Sequence, residues 1–172
     1  MSVEEHKAEA PNEVRCKIIT VSDTRTEEND KSGKLIQEYL KEAGHVVTDS
    51  AIVPDDQEAI RAAIKSGLAD KSIDAVLLNG GTGIADRDVT IETVKELLEK
   101  ELVGFGEIFR MLSYTDDIGS AAILSRAIAG TSQHTAVFAM PGSSGAVKLA
   151  MGRLIQPELA HVVREIRKDQ NK

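Results

Sequence analysis

Apolar residues along the chain follow two alternating rhythms. Short runs rich in β-branched residues recur at 14–21 (V-R-C-K-I-I-T-V), 46–53, 73–78 and 135–140 (T-A-V-F-A-M). Such runs predict strands, the weakest at 46–53 and the one at 73–78 buried on both faces. Between them the apolar positions fall at helical spacing. Leu35, Ile36, Tyr39, Leu40 and Ala43 mark one helix, with Ser32 as its cap and Gly44 as its stop. Ile60, Ala63, Ile64 and Leu68 mark a second, opened by Pro54-Asp55-Asp56 with either aspartate as N-cap. Ile91, Val94, Leu97 and Leu98 mark a third, and Leu159, Val162, Val163 and Ile166 a last one that Pro157 starts. Strands alternating with helices predict an α/β protein whose mainly parallel sheet lies between two helical layers.

The rest of the chain fits around that frame. Residues 1–13 are polar, without apolar periodicity, and read as a flexible tail. Residues 169–172 read as a second tail, which leaves 14–168 as a single domain. Gly104-Phe105-Gly106 breaks the chain before a helical piece at 107–112, and a second piece spans 121–128. With no strand between these pieces, they form a helical insertion between the third and fourth strands. Its apolar residues Phe105, Ile108, Phe109, Met111 and Leu112 need burial, either in the monomer core or against another copy.

Composition narrows the function. Aromatic residues are only 3% of the 172 and Trp is absent, which excludes a base-stacking platform. The net charge of −7 excludes a broad surface for a nucleic-acid backbone. Any polyanionic ligand must therefore meet a local cluster of donors. The single Cys16 rules out an internal disulfide or a cysteine-based zinc site, and it lies in an apolar run as inert core. A reducing, cytoplasmic setting follows. No signal peptide or membrane-length apolar segment is found.

Candidate chemistry concentrates at the strand ends. The third strand runs into Asn79-Gly80-Gly81-Thr82-Gly83, then Asp86-Arg87-Asp88 ahead of a helix. Glycines at such a turn let backbone N–H groups approach an anion, and the aspartates could hold a metal. The bland alternative is a tight turn with Asp88 or Thr90 as N-cap. The first strand ends in Ser22-Asp23-Thr24-Arg25 and the fourth in Pro141-Gly142-Ser143-Ser144, where either serine can cap the next helix. With strand order 2-1-3-4, the topological switch falls between the first and third strands, whose ends are the two most polar in the chain.

Six blocks then stand in order: V-S-D-T-R, V-P-D-D, N-G-G-T-G-x-x-x-R-D-V-T, G-F-G-E-I-F-R-M-L-S, L-S-R-A and M-P-G-S. Together they resemble the MoaB/MogA family of molybdenum-cofactor biosynthesis over about residues 14–165, and the fourth and sixth lie closer to the MoaB branch. The resemblance implies a three-layer α/β/α fold, assembly as a homotrimer or hexamer, and binding of molybdopterin. In the MogA branch it implies Mg²⁺-dependent adenylylation of molybdopterin by ATP.

Under that resemblance Asp55 and Asp88 are the catalytic and Mg²⁺-binding carboxylates. Gly80, Gly81, Thr82 and Gly83 form the phosphate turn. Ser22, Asp23, Glu107, Ser125, Pro141 and Gly142 surround the pterin and its phosphate. Arg25, Arg87 and Arg126 could add bidentate phosphate contacts, against an ordinary surface role for each. Ile91 stands where MogA-type sequences often carry proline. Some MoaB members lack the aspartate at position 88, whereas this chain keeps both carboxylates. The competing function is a non-catalytic molybdopterin-binding or scaffold protein, a partner of other molybdenum-cofactor enzymes.

Overall fold

The computed structural model describes residues 1–170. Four strands form its parallel part: β1 (Arg15–Val21), β2 (Val46–Val53), β3 (Ala75–Asn79) and β6 (Thr135–Met140). Two further strands, β4 (Lys100–Glu101) and β5 (Ile128–Ser132), extend one edge antiparallel. The sheet order is β2-β1-β3-β6-β5-β4, which keeps the expected arrangement of the four parallel strands. The helical insertion between the third and fourth strands is corrected, since it also carries β4 and β5. Around these strands run α2 (Lys31–Glu42), α3 (Gln57–Ala69), α4 (Thr90–Leu97), α5 (Val103–Asp116) and a 3₁₀ segment, Gly119–Leu124. The chain closes with α6 (Ser144–Leu149), a π-wound stretch and α7 (Gln156–Arg167).

Strand register explains the three layers. Ile18, Leu77 and Phe138 lie side by side across β1, β3 and β6, and so do their successors Ile19, Leu78 and Ala139. Successive strand residues face opposite sides of a sheet. The first row packs with Ile36, Leu40, Phe109, Val147 and Leu159 from α2, α5, α6 and α7. The second packs with Ile60, Ile64 and Val94 from α3 and α4. Cys16 is fully buried in the first layer, and desolvation pushes its thiol up to about 12, so it stays protonated. No helix among the described residues is long and apolar enough to cross a membrane.

Helix caps differ in detail from expectation. Asp30, not Ser32, caps α2 by accepting the Gly33 N–H at 3.0 Å. Gly44, with φ +84°, ends that helix as expected. Asp56 caps α3 and Ser143 caps α6. At α4 no side chain caps, so neither Asp88 nor Thr90 takes that role. The segment expected to be a polar tail carries α1 (Val3–Ala8), capped reciprocally by Ser2 and Glu5. At the other end, the expected tail 169–172 has its last two positions outside the described residues.

One ionic clamp ties the N-terminal edge of the sheet. Asp74 is buried, accepts the Arg15 N–H at 2.8 Å and pairs with the Arg15 and Arg167 guanidinium groups. Burial pushes its carboxyl up, but the hydrogen bonds from both arginines outweigh that and hold it below the usual range. A depressed folded-state pKa stabilises at neutral pH, and the contribution disappears as pH falls through the folded value. Because both arginines reach solvent, Asp74→Asn should cost about 2–3 kcal/mol at pH 7, below the ~3–5 typical of a fully buried pair. Urea unfolding checks this, and equal midpoints for parent and variant at pH 7 would refute the clamp.

Candidate functional site

All four parallel strands end on one edge, so their following turns meet there. The Ser22 N–H donates to Val53 O at 2.9 Å, and the Gly80 N–H donates to Met140 O at 3.1 Å. Ser22 Oγ then accepts from the N–H groups of Thr24 and Arg25, closing the turn after β1. Gly142 packs against Gly80, where an added Cβ would lie 3.3 Å from the Gly80 Cα. Pro141, half-buried, begins the same turn.

The turn after β3 needs its glycines. Gly80 and Gly81 have φ of +94° and +66°, where other L-residues are strained. A Cβ on Gly80 would sit 2.3 Å from Val21 O, and one on Gly81 would sit 2.3 Å from Thr90 Oγ1 and 3.0 Å from Asp55 Oδ1. A Cβ on Gly83 would come within 2.5 Å of Asp88 Oδ2. Asp55 thus borders Gly81 and Asp88 borders Gly83, so the two carboxylates from separate strand ends flank one turn.

Three carbonyls of this turn are engaged. Gly81 O accepts the Thr90 N–H at 3.1 Å. Thr82 O accepts from Arg126 Nε at 3.0 Å, and Gly83 O accepts from Arg126 Nη2 at 2.5 Å. In a planar trans peptide the next N–H points away from the carbonyl. The amides of Thr82, Gly83 and Ile84 therefore face away from Thr90 and Arg126. Among the described residues, none of the three donates to a protein acceptor. Three successive unpartnered N–H groups can donate to an anion.

Carboxylates crowd the neighbouring side. Asp23 Oδ1 accepts the Asp55 N–H at 2.9 Å, and Asp88 Oδ2 accepts the Ala85 N–H at 3.0 Å. Burial raises the Asp55 carboxyl, and the charges of Asp23 and Asp88 raise it further, against a smaller opposing effect of Arg87. Such a cluster gains from a nearby cation. Its all-oxygen donors suit a hard divalent ion such as Mg²⁺. The Thr90 hydroxyl, fully buried beside Gly81, has no hydrogen-bond partner among the described residues.

Two arginines bond to backbone carbonyls of the turns. Arg126 spans the carbonyls of Thr82 and Gly83 and pairs with Glu92, whose carboxyl it holds below the usual range. Arg25 donates to Gly142 O at 3.1 Å and contacts Asp30 and Ser32. Behind them runs a buried polar chain: Thr20 donates to Asp30 at 2.7 Å, Ser32 to Asn79 at 2.6 Å, and Asn79 to Thr20 at 3.1 Å. Thr20, Asp30, Ser32 and Glu92 carried no functional signal in the sequence, and Asn79 and Thr90 carried one only as the ends of the glycine-turn block.

The structure gathers most of the expected site residues. Ser22, Asp23, Asp55, Gly80–Gly83, Asp88, Pro141 and Gly142 share the one edge. Glu107 instead stands exposed on α5, and Ser125 ends the 3₁₀ segment, joined to the turn only through its neighbour Arg126.

Residues 17–161 match a family model described as "Probable molybdopterin binding domain". The chain belongs to the MoaB/MogA family. It is similar to "Molybdenum cofactor biosynthesis protein B" of Bacillus subtilis, with 70% identity over 169 residues, covering 98% of this chain and 99% of the relative. A crystal structure of a molybdenum cofactor biosynthesis protein B superposes with a TM-score of 0.90 at 62% identity, covering 93% of this chain and 99% of the other. The tungsten cofactor synthesizing protein MoaB of Pyrococcus furiosus superposes with a TM-score of 0.78 at 42% identity, covering 92% and 99% of the two chains. The MoaB/MogA resemblance and the α/β/α fold expected from it are thereby borne out, and the chain is a molybdenum-cofactor biosynthesis protein with a molybdopterin-binding domain.

Proposed function

We propose that the glycine turn holds the terminal phosphate of molybdopterin and that the protein transfers an adenylyl group onto it from ATP. The observation that carries this is the set of three unpartnered amides, at Thr82, Gly83 and Ile84, flanked by Asp55 and Asp88. A phosphate oxygen of the pterin attacks the α-phosphorus of ATP. A new P–O–P linkage forms, the α–β bridging bond breaks, and the electron pair leaves with pyrophosphate. The nucleophile is already ionised, so the protein has to position the two phosphates and offset their charge.

The amides bind phosphate without burying a positive charge in the empty site. Arg126 keeps their carbonyls turned away, and the Thr20–Asp30–Ser32–Asn79 chain fixes the floor of the turn. Asp55 and Asp88 would hold Mg²⁺, with Asp23 beside them as a further carboxylate. When bound, Mg²⁺ supplies positive charge that offsets the triphosphate and the carboxylates together. Ser22, Pro141 and Gly142 lie beside the glycine turn and would border the pterin.

Pyrophosphate release tests the reading. It should require molybdopterin, ATP and Mg²⁺ together and stop on chelation of the metal. Tight molybdopterin binding without any pyrophosphate release would instead make the protein a carrier or scaffold.

Assembly is proposed to be a closed homotrimer or a hexamer of two trimers, working in the cytoplasm. The insertion divides its apolar residues: Phe109 and Leu112 enter the core, while Ile108, Met111, Ile123 and Leu124 remain 45%, 56%, 86% and 53% exposed. That exposed stripe along α5 and the 3₁₀ segment is a surface suited to a second copy. Light scattering at micromolar concentration should give three or six times the chain mass. A monomer would contradict the assembly.

A further inference from the structure

Away from the glycine turn, His6, His161 and Glu165 bring three ligand atoms within 4.8 Å of one another. His6 comes from α1, while His161 and Glu165 lie four residues apart on one face of α7. We propose that these three residues bind a divalent transition ion, Zn²⁺ or a neighbour such as Co²⁺ or Ni²⁺, and so pin α1 to the final helix.

Ligand spacing is the first support. Tetrahedral zinc with N and O ligands at about 2.0–2.2 Å requires ligand-to-ligand distances of about 3.3–3.6 Å. Glu165 Oε1 lies 3.0 Å from His6 Nδ1 and 4.0 Å from His161 Nε2, one on each side of that value. Second, His161 is already oriented for coordination. Its Nδ1 is 2.9 Å from Glu158 Oε2; with Nδ1–H donating to that carboxylate, Nε2 on the Glu165 side is left with the lone pair. A carboxylate on the remote nitrogen is the arrangement that fixes and strengthens histidine metal ligands. Third, the side chains are 26%, 19% and 32% exposed, open enough for an ion to enter and for water to take the fourth position.

Two cations compete with an ion for the Glu165 carboxylate. Arg164 Nη1 lies 2.6 Å from Glu165 Oε1 and Lys168 Nζ lies 3.0 Å from Oε2. Arg164 also holds Glu9 at 2.6 Å, so it keeps a partner when Oε1 turns to a metal. Imidazole ligands select zinc and its neighbours over Mg²⁺, whereas the glycine turn offers oxygens alone. The two sites thus differ in the ion they take. α1 buries none of its residues and is held to α7 through ion pairs of His6, Lys7 and Glu9, so a metal bridge would be its strongest tie.

The test uses the full chain without a histidine tag, stripped with a chelator and titrated with zinc chloride by calorimetry in excess Mg²⁺. One Zn²⁺ per chain is expected. His6→Gln and His161→Gln should each weaken it roughly 100-fold, and Glu158→Gln about 10-fold, as loss of a supporting carboxylate does. Zinc should also slow tryptic cleavage after Lys7 in the parent but not in His161→Gln. Circular dichroism confirms that the variants fold. No zinc uptake by the parent, or equal affinity in the parent and both histidine variants, would overturn the site.

Discussion

Asp88→Asn should lower turnover on the order of 100-fold or more while leaving molybdopterin affinity nearly unchanged, as expected for one electrostatic contact used in the transition state. Its structural role survives the change. Asp88 caps no helix; its carboxylate accepts the Ala85 N–H, and an asparagine oxygen can accept the same bond. Stability should therefore move by no more than about 0.5 kcal/mol. Single-turnover rates and equilibrium binding, measured side by side, separate the two effects. Normal turnover in Asp88→Asn would remove this carboxylate from the chemistry and leave it a turn residue.

Gly81→Val should damage both fold and binding. A β-branched residue at φ +66° is strained by about 1–2 kcal/mol. Its Cβ, 2.3 Å from the buried Thr90 Oγ1, forces an overpacked contact worth about 1–3 kcal/mol more. Together these give a loss of roughly 2–5 kcal/mol, visible as a lowered urea midpoint. Molybdopterin binding, measured where the variant is still folded, should be lost because the amides beside Gly81 are displaced. An unchanged midpoint would mean the turn relaxes freely. Parent-like binding would place the phosphate elsewhere.

Three of the four parallel strands were legible because each pairs an apolar run with polar turn chemistry; β2, interrupted by Thr48-Asp49-Ser50 and without a buried residue, was the weakest signal. β1, β3 and β6 are almost wholly buried, and their sequences carry little but apolar and β-branched residues. β5 was not legible. Ile128-Ala129-Gly130 is short and contains glycine, and its strand form depends on pairing with β6. The hairpin that joins them turns at Gln133 and His134, both with positive φ and neither a usual turn residue. The first helix escaped for a different reason. It buries no residue, so it leaves no apolar stripe to read, and its contacts are ion pairs to α7.

At the site, the residues with special backbone needs announced themselves. Gly80 and Gly81 are glycines because φ and close packing demand it, whereas Asp55 and Asp56 read equally as a helix cap and only the fold gives that role to Asp56. Arg126 was legible only as a candidate phosphate contact, not as a support of the turn. An arginine at the end of an irregular segment reads as surface, and only the fold brings its guanidinium beneath the carbonyls of Thr82 and Gly83. Asn79 and Ser32 were hidden likewise, because their hydrogen bond joins positions 47 residues apart in sequence.

Adenylyl transfer itself is tested most directly by following the label from ATP. With ATP labelled at the α-phosphate, molybdopterin and Mg²⁺, the label should appear covalently attached to the pterin. With ATP labelled at the γ-phosphate, it should appear only in pyrophosphate. Label from the γ-phosphate on the pterin, or α-label that stays in free ATP while molybdopterin is bound, would contradict the account.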